Sequence, residues 1–113
     1  MITTFQEYQE ATAKTAIYPR NLPREAINYC ILGLIGESGE LANHFKKCLR
    51  DNNGVISAEK HQQLFSEISD ILWYCSQLAT ELNVTLSDVA TYNINKLQDR
   101  YNRNVLSGSG DKR

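Results

Sequence analysis

Two short acidic stretches hold the side chains best placed to do chemistry. Gly36-Glu37-Ser38-Gly39-Glu40 and Glu67-Ile68-Ser69-Asp70 each carry two carboxylates three residues apart. On a helix, residues i and i+3 point the same way. Two such pairs facing each other put four negative charges in one small space, which is unfavourable unless a proton or a metal ion intervenes. Oxygen-only donors favour a hard cation, Mg2+ or Mn2+. Mg2+ held by a few carboxylates completes its shell with water and substrate phosphates, so the pattern points to a phosphate-bearing ligand. A di-iron bundle would instead use a Glu-x-x-His pair on each of two helices. His44 stands four residues after Glu40 and His61 six before Glu67, and neither has that spacing.

A phosphate ligand needs counter-charges. Asn93, Lys96 and Arg100 are spaced three and four, on one face of a late helix, and Lys47 lies seven after Glu40, two turns along the acidic stripe. Arg100 could make a bidentate contact to a phosphate. Each of these cations alone is an ordinary surface charge, and a single ExxE is common on a solvated helix. The informative feature is the agreement between the two acidic pairs, which depends on the helices that carry them.

Thr4-Phe5-Gln6-Glu7 has the form of a capping box, opening a first helix that runs to about Lys14 or Ala16. Pro19 and Pro23 break it and stiffen the connection, with Pro23 suited to the first turn of the next helix. The second helix spans about Arg24 to Arg50, with Ile27, Ile31, Leu34, Leu41, Phe45 and Cys48 as a heptad-like stripe if Ser38 fills the missing place. Gly33, Gly36 and Gly39 inside it each cost ~1 kcal/mol relative to alanine. They suggest close approach of a backbone or ligand, or else a helix break. Asp51-Asn52-Asn53-Gly54 is a turn signal, and Ser57 caps a third helix to about Leu82 with Leu64, Ile68, Ile71, Cys75, Leu78 and Leu82 as its stripe. Thr85 starts a fourth helix reaching Tyr101 or Asn102. Residues 107–113 are polar and glycine-rich, which predicts a disordered tail behind one all-α domain over 1–106.

Glu37, Glu40, Glu67 and Asp70 each sit one residue before a stripe position, so both pairs lie on the same flank of their helix. The short turn makes the second and third helices antiparallel neighbours, and like flanks then meet. Glu40 is 11 residues before Asp51 and Glu67 is 10 after Ser57, so the pairs are nearly level. Glu37 should fall near Asp70, and Glu40 near Glu67.

Composition narrows the classes. The 113 residues have a net charge of −1, so no basic field attracts a nucleic acid backbone. No apolar run reaches the ~18 residues of a membrane span, and the start of the chain lacks the basic-then-apolar pattern of a secretory signal. Cys30, Cys48 and Cys75 have no metal-site spacing and read as buried thiols of a cytoplasmic protein.

Glu37-x-x-Glu40, 26 intervening residues, then Glu67-x-x-Asp70 resembles the MazG-like nucleotide pyrophosphohydrolases of the all-α NTP pyrophosphatase superfamily. Thr15-Ala16-Ile17-Tyr18-Pro19, Gly33 to Ala42, Asp70-Ile71-Leu72-Trp73-Tyr74 and Asn93-Ile94-Asn95-Lys96-Leu97 extend the likeness over roughly residues 4–102. The resemblance implies a four-helix, bundle-like protomer assembling as a dimer or a dimer of dimers, with sites near the interface. It implies Mg2+-dependent hydrolysis of a nucleoside triphosphate, usually a deoxynucleotide, to the monophosphate and pyrophosphate. Glu37, Glu40, Glu67 and Asp70 carry over as the metal set, with Glu37 also orienting the attacking water. Lys47, Asn93, Lys96 and Arg100 become candidates for the phosphates, and Tyr18 and Tyr74 for the base. Some family members place an aromatic residue where this chain has Lys47, so base preference is open. The competing expectation is a catalytically silent helical dimer that binds a nucleotide or a protein partner as a sensor or regulator.

Overall fold

The computed structural model describes residues 1–113. It consists of α1 (Phe5–Thr12), continued by a 3-10 turn at Ala13–Thr15, then α2 (Glu25–Asn52), α3 (Ala58–Glu81) and α4 (Leu86–Asn102), with no strand. The all-α expectation holds. Three helices start on hydroxyl caps, which satisfy backbone donors that have no partner inside the helix. Thr4 accepts from the Glu7 N–H at 3.0 Å, Ser57 from Lys60 at 3.1 Å and Thr85 from Asp88 at 2.9 Å. Glu7 reaches back one residue further than a capping box does, to the Thr3 N–H at 3.2 Å.

The start of α2 differs. Pro23 lies outside the helix, and the cap is Arg24, left-handed at φ 63° and with no side-chain cap bond. Glu25 compensates by accepting the Leu22 N–H at 2.8 Å. At the far end, Asn53 and Gly54 both take positive φ, and their N–H groups turn back to the Cys48 carbonyl. This tight reversal sends α3 back along α2, and the α2–α3 pair forms the largest interface of the chain. Cys30 and Cys48 are buried and Cys75 half-buried, all as free thiols.

The α2–α3 seam is displaced from the apolar stripes. Its covered positions are Cys30, Leu34, Glu37, Leu41, His44 and Cys48 on α2, and Leu64, Glu67, Ile71, Tyr74, Leu78 and Glu81 on α3. These alternate four and three, as packed helices require. Ile31, Phe45, Ile68 and Leu82, expected in the seam, are exposed instead. One partner helix covers a stripe roughly 100° wide. The apolar surface of α2 is wider than that, since Leu32 and Ile35 are exposed as well. As a result Glu37 and Glu67 sit within the seam and not on its flank.

Helix α2 runs unbroken through its three glycines. Gly33 has a local reason: a Cβ there would come within 2.2 Å of the Tyr74 ring. Gly36 and Gly39 meet nothing within 4 Å. Helices α1 and α4 pack on the C-terminal half of α3. Gln9 joins all three, donating to Thr80 Oγ1 at 3.0 Å and the Val84 carbonyl at 3.2 Å and accepting the Leu86 N–H at 2.8 Å.

A single copy leaves much of its apolar surface uncovered. Only nine of 113 residues are buried. The radius of gyration is 17.0 Å, against about 13 Å for a compact chain of this length.

Gly33→Ala should destabilise the protein by roughly 1–3 kcal/mol through overpacking against Tyr74. Gly36→Ala, in open space and with a better helix former, should not lower the melting temperature of the single chain. Thermal unfolding by circular dichroism compares them, and equal losses would show that Tyr74 does not occupy the Gly33 groove.

Candidate metal centre

The register of α2 against α3 gathers the acidic side chains. Ligand atoms of Glu37, Glu67 and Asp70 all lie within 4.8 Å of one another. Those of Glu40, His44 and Glu67 do the same, so Glu67 belongs to both groups. Glu37 is therefore close to Asp70, and Glu40 to Glu67, as the helical heights require. Glu37 and Glu67 are half-buried in the seam, while Glu40 and Asp70 stand exposed at its rim.

This crowding shows in the electrostatics. Glu37 has its pKa pushed up to about 7, first by hydrogen bonding to Glu67, then by burial, then by the charges of Asp70, Glu67 and Glu40. A carboxyl among carboxylates keeps its proton because a second negative charge at that distance is unfavourable. A divalent cation would relieve the same repulsion. Three carboxylates converging within ligand reach, with an open rim for water or phosphate, fit a hard ion such as Mg2+ or Mn2+.

His44 is the residue that spacing alone set aside. Its Nε2 lies 3.2 Å from Glu67 Oε1, with the two side chains 25% and 15% exposed. The signal was present in the sequence: Glu40 and His44 are four apart, which puts both on one helix face. Matching only the i, i+3 pattern of di-iron proteins hid it.

The candidate substrate contacts are more dispersed. Tyr74 is half-buried, seated on Gly33 and edge-on to Trp73 at 5.0 Å between centroids. Burial, then the neighbouring Tyr29 and Glu37, raise its pKa. Tyr18 lies in the interior. It stacks on Tyr29 at 5.4 Å, carries the Arg20 guanidinium over its ring at 4.8 Å and donates to Glu81 at 3.0 Å. Arg20 also pairs with Glu81. Burial is the first cause raising the Tyr18 pKa. Glu81 is 11 residues beyond Asp70, about 16 Å along the helix, so the Tyr18 hydroxyl is engaged away from the carboxylates.

Lys47 is exposed near the α2–α3 turn, beside Asp51. Asn93 is exposed on α4. Lys96 and Arg100 face the glycine-rich tail, which turns back along α4. Asp111 Oδ1 sits 3.2 Å from Lys96 Nζ and 3.1 Å from Arg100 Nη2. Within one copy these two cations are paired with the tail and make no ion pair with the four carboxylates.

The raised Glu37 pKa fixes the sign of a pH effect. The folded form holds this proton more tightly than the unfolded chain, whose glutamate titrates near 4.5. Its contribution to stability is therefore lost as pH rises from about 4.5 through 7. Melting temperatures of the metal-free protein should fall over that range, and Mn2+ should raise them more at pH 8 than at pH 5. Glu37→Gln removes the repulsion, so the metal-free variant should melt above wild type at pH 8 and gain little from Mn2+. A wild-type melting temperature that climbs across this window would contradict the assignment.

Residues 26–105 match the family described as the MazG nucleotide pyrophosphohydrolase domain. The chain is also similar to the Gene 37 protein of Mycobacterium phage L5, at 49% identity over 109 residues, covering 94% of this chain and 96% of that protein. No solved structure matches it. No helix is long and apolar enough to cross a membrane. The matched span takes in all four carboxylates and α2 to α4 almost whole: the chain belongs to the MazG nucleotide pyrophosphohydrolase family.

Proposed function

We propose that this protein hydrolyses nucleoside triphosphates, most naturally deoxynucleotides, to the monophosphate and pyrophosphate with Mg2+, or Mn2+ in its place. It would act on the cytoplasmic nucleotide pool. The observation that carries the reading is the convergence of Glu37, Glu67 and Asp70 within 4.8 Å in a chain of this family. These three carboxylates hold the cation, and Glu40 at the rim completes the set. A bound divalent ion supplies charge neutralisation at the phosphate oxygens and a template for in-line displacement.

The chain's own groups then position the reactants. Glu37 orients a water toward the α-phosphorus. The new P–O bond forms as the α–β anhydride bond breaks, pyrophosphate departs and one proton passes to solvent. Lys96 and Arg100 hold the charge on the leaving pyrophosphate, Lys47 and Asn93 add polar contacts to the phosphates, and Tyr74 offers its ring to the base. Tyr18 supports this indirectly, by packing under α2 and α3. Such a site accelerates the reaction by placement and electrostatic complementarity.

The uncovered apolar faces of α2, α3 and α4 are assigned to further copies of the chain, as a dimer or a dimer of dimers. Ile31, Ile35, Phe45, Ile68, Ile94 and Leu97 are exposed in one copy, and burying such side chains contributes about 1.5–3 kcal/mol each. Assembly also offers a way to bring the α4 cations toward a carboxylate cluster.

A panel of nucleoside triphosphates, assayed for pyrophosphate with and without Mg2+, tests the activity. Glu40→Gln and Asp70→Asn should each lower turnover by at least ~100-fold while leaving the helical content intact. Wild-type rates in either variant would remove the site assignment, and nucleotide binding without pyrophosphate release would make the protein a sensor. Ending the chain after Leu106 should lower KM, because Asp111 no longer competes for Lys96 and Arg100. An unchanged or higher KM would show that these cations do not meet the substrate.

A further inference from the structure

The cations of α4 already hold an anion, and that anion belongs to the chain itself. We infer that residues 107–113 form an autoinhibitory strap: the Asp111 carboxylate keeps the place of a phosphate on Lys96 and Arg100, and a polyphosphate ligand must expel it to bind. The inference deepens the hydrolase reading by naming a regulation of its substrate contacts. It rests on that reading for its consequence, though not for its geometry.

Three observations carry it. First, Arg100 is a buried cation, with its side chain 6% exposed, and both of its acceptors come from Asp111. Nη2 donates to the Asp111 carbonyl at 2.6 Å and to Oδ1 at 3.1 Å. Lys96 Nζ donates to the same Oδ1 at 3.2 Å. A guanidinium withdrawn from water needs an anion beside it. The place is therefore built for a negative group, and the tail supplies one when no ligand does.

Second, the tail has a defined route back to α4. Gly108 and Gly110 take φ 118° and 86°, values that only glycine adopts freely. Arg113 closes the loop, donating to the carbonyls of Val105 at 3.1 Å, Leu106 at 3.3 Å and Gly110 at 2.5 Å. Arg103 donates to the Arg113 carbonyl at 2.6 Å. Third, the contact is displaceable. Asp111 is 78% exposed, and exposed ion pairs are weak and screened by salt. Both Arg100 bonds leave from one nitrogen, so the two-nitrogen fork of the guanidinium is unused. A phosphate can engage that fork bidentately, and a polyphosphate brings more negative charge than one carboxylate.

Pyrophosphate binding without metal tests the proposal. The full chain, labelled with 15N and freed of metal, is titrated with pyrophosphate, with sodium chloride at matched ionic strength as the control. Steady-state heteronuclear NOEs of the Gly108 and Gly110 amides report whether the tail is held. In ligand-free wild type they should approach the values of the helices. They should fall toward those of a free chain end as pyrophosphate saturates, and fall less in the chloride control. Asp111→Ala and Gly108→Val should leave the tail mobile from the start and bind pyrophosphate at least ~3-fold more tightly, because the competent form is no longer a fraction of the whole. Gly108→Val does this without touching either cation, since a side chain strains that turn. In turnover, KM should fall in both variants while kcat stays within about 2-fold, as removal of a competitor requires. A tail that is mobile in ligand-free wild type, a tail that stays held at every pyrophosphate concentration, or variants with wild-type affinity would each overturn the proposal. The wild-type relaxation data decide the matter if a variant fails to fold. Tail release by pyrophosphate in a protein that hydrolyses no nucleotide would leave the strap standing and remove the hydrolase reading. Hydrolysis with one KM shared by wild type and both variants would do the reverse.

Discussion

Carboxylates packed between two antiparallel helices set the terms for everything else in this structure. Helix seams ordinarily hold apolar side chains, because that is where burial stabilises most. Here Glu37 and Glu67 occupy seam positions, with Asp70 and Glu40 at the rim. Without a counter-ion, that crowding raises the Glu37 pKa to about 7, and Glu67 keeps a hydrogen-bond contact with the His44 imidazole. Glu67 is the pivot. It touches both groups, so the two halves of the cluster cannot be altered independently.

This constraint redirects the hydrophobic surface. A seam that gives places to Glu37, His44 and Glu67 cannot also bury the full apolar stripes of α2 and α3. Phe45 and Ile68 are consequently left outside, beside Leu32 and Ile35. The same economy explains the glycines unequally. Gly33 yields space to Tyr74, which roofs the seam one turn from Asp70, whereas Gly36 and Gly39 look into open space. An incomplete core and an acidic seam are two aspects of one arrangement: the helices hold a polar centre between them and leave apolar side chains on their outer faces.

Most of the fold was legible in the chain. Caps at Thr4, Ser57 and Thr85 and the Asn53-Gly54 turn are local features, settled by hydrogen bonds within six residues. Pairing of the acidic residues was also legible, because helical rise and a short turn determine which heights coincide. The seam was not, since choosing which apolar stripe faces the partner is a tertiary competition that periodicity alone cannot rank. The left-handed cap of α2, which leaves Pro23 outside the helix, was missed for a related reason. A left-handed Arg24 is strained locally and is held by its surroundings, among them the Glu25 bond to Leu22. The His44–Glu67 contact escaped because it depends on a residue from the opposite helix. The tail contact of Asp111 escaped because it depends on two cations 11 and 15 residues earlier.

The central claim is that a divalent ion sits between α2 and α3, held by Glu37, Glu67 and Asp70. Anomalous scattering from crystals grown with Mn2+ measures this most directly. The account predicts a strong anomalous peak between the two helices, within about 2.0–2.6 Å of oxygens from all three carboxylates. A well-ordered structure with no peak there, or with Mn2+ bound only elsewhere and the three carboxylates turned outward, would contradict it.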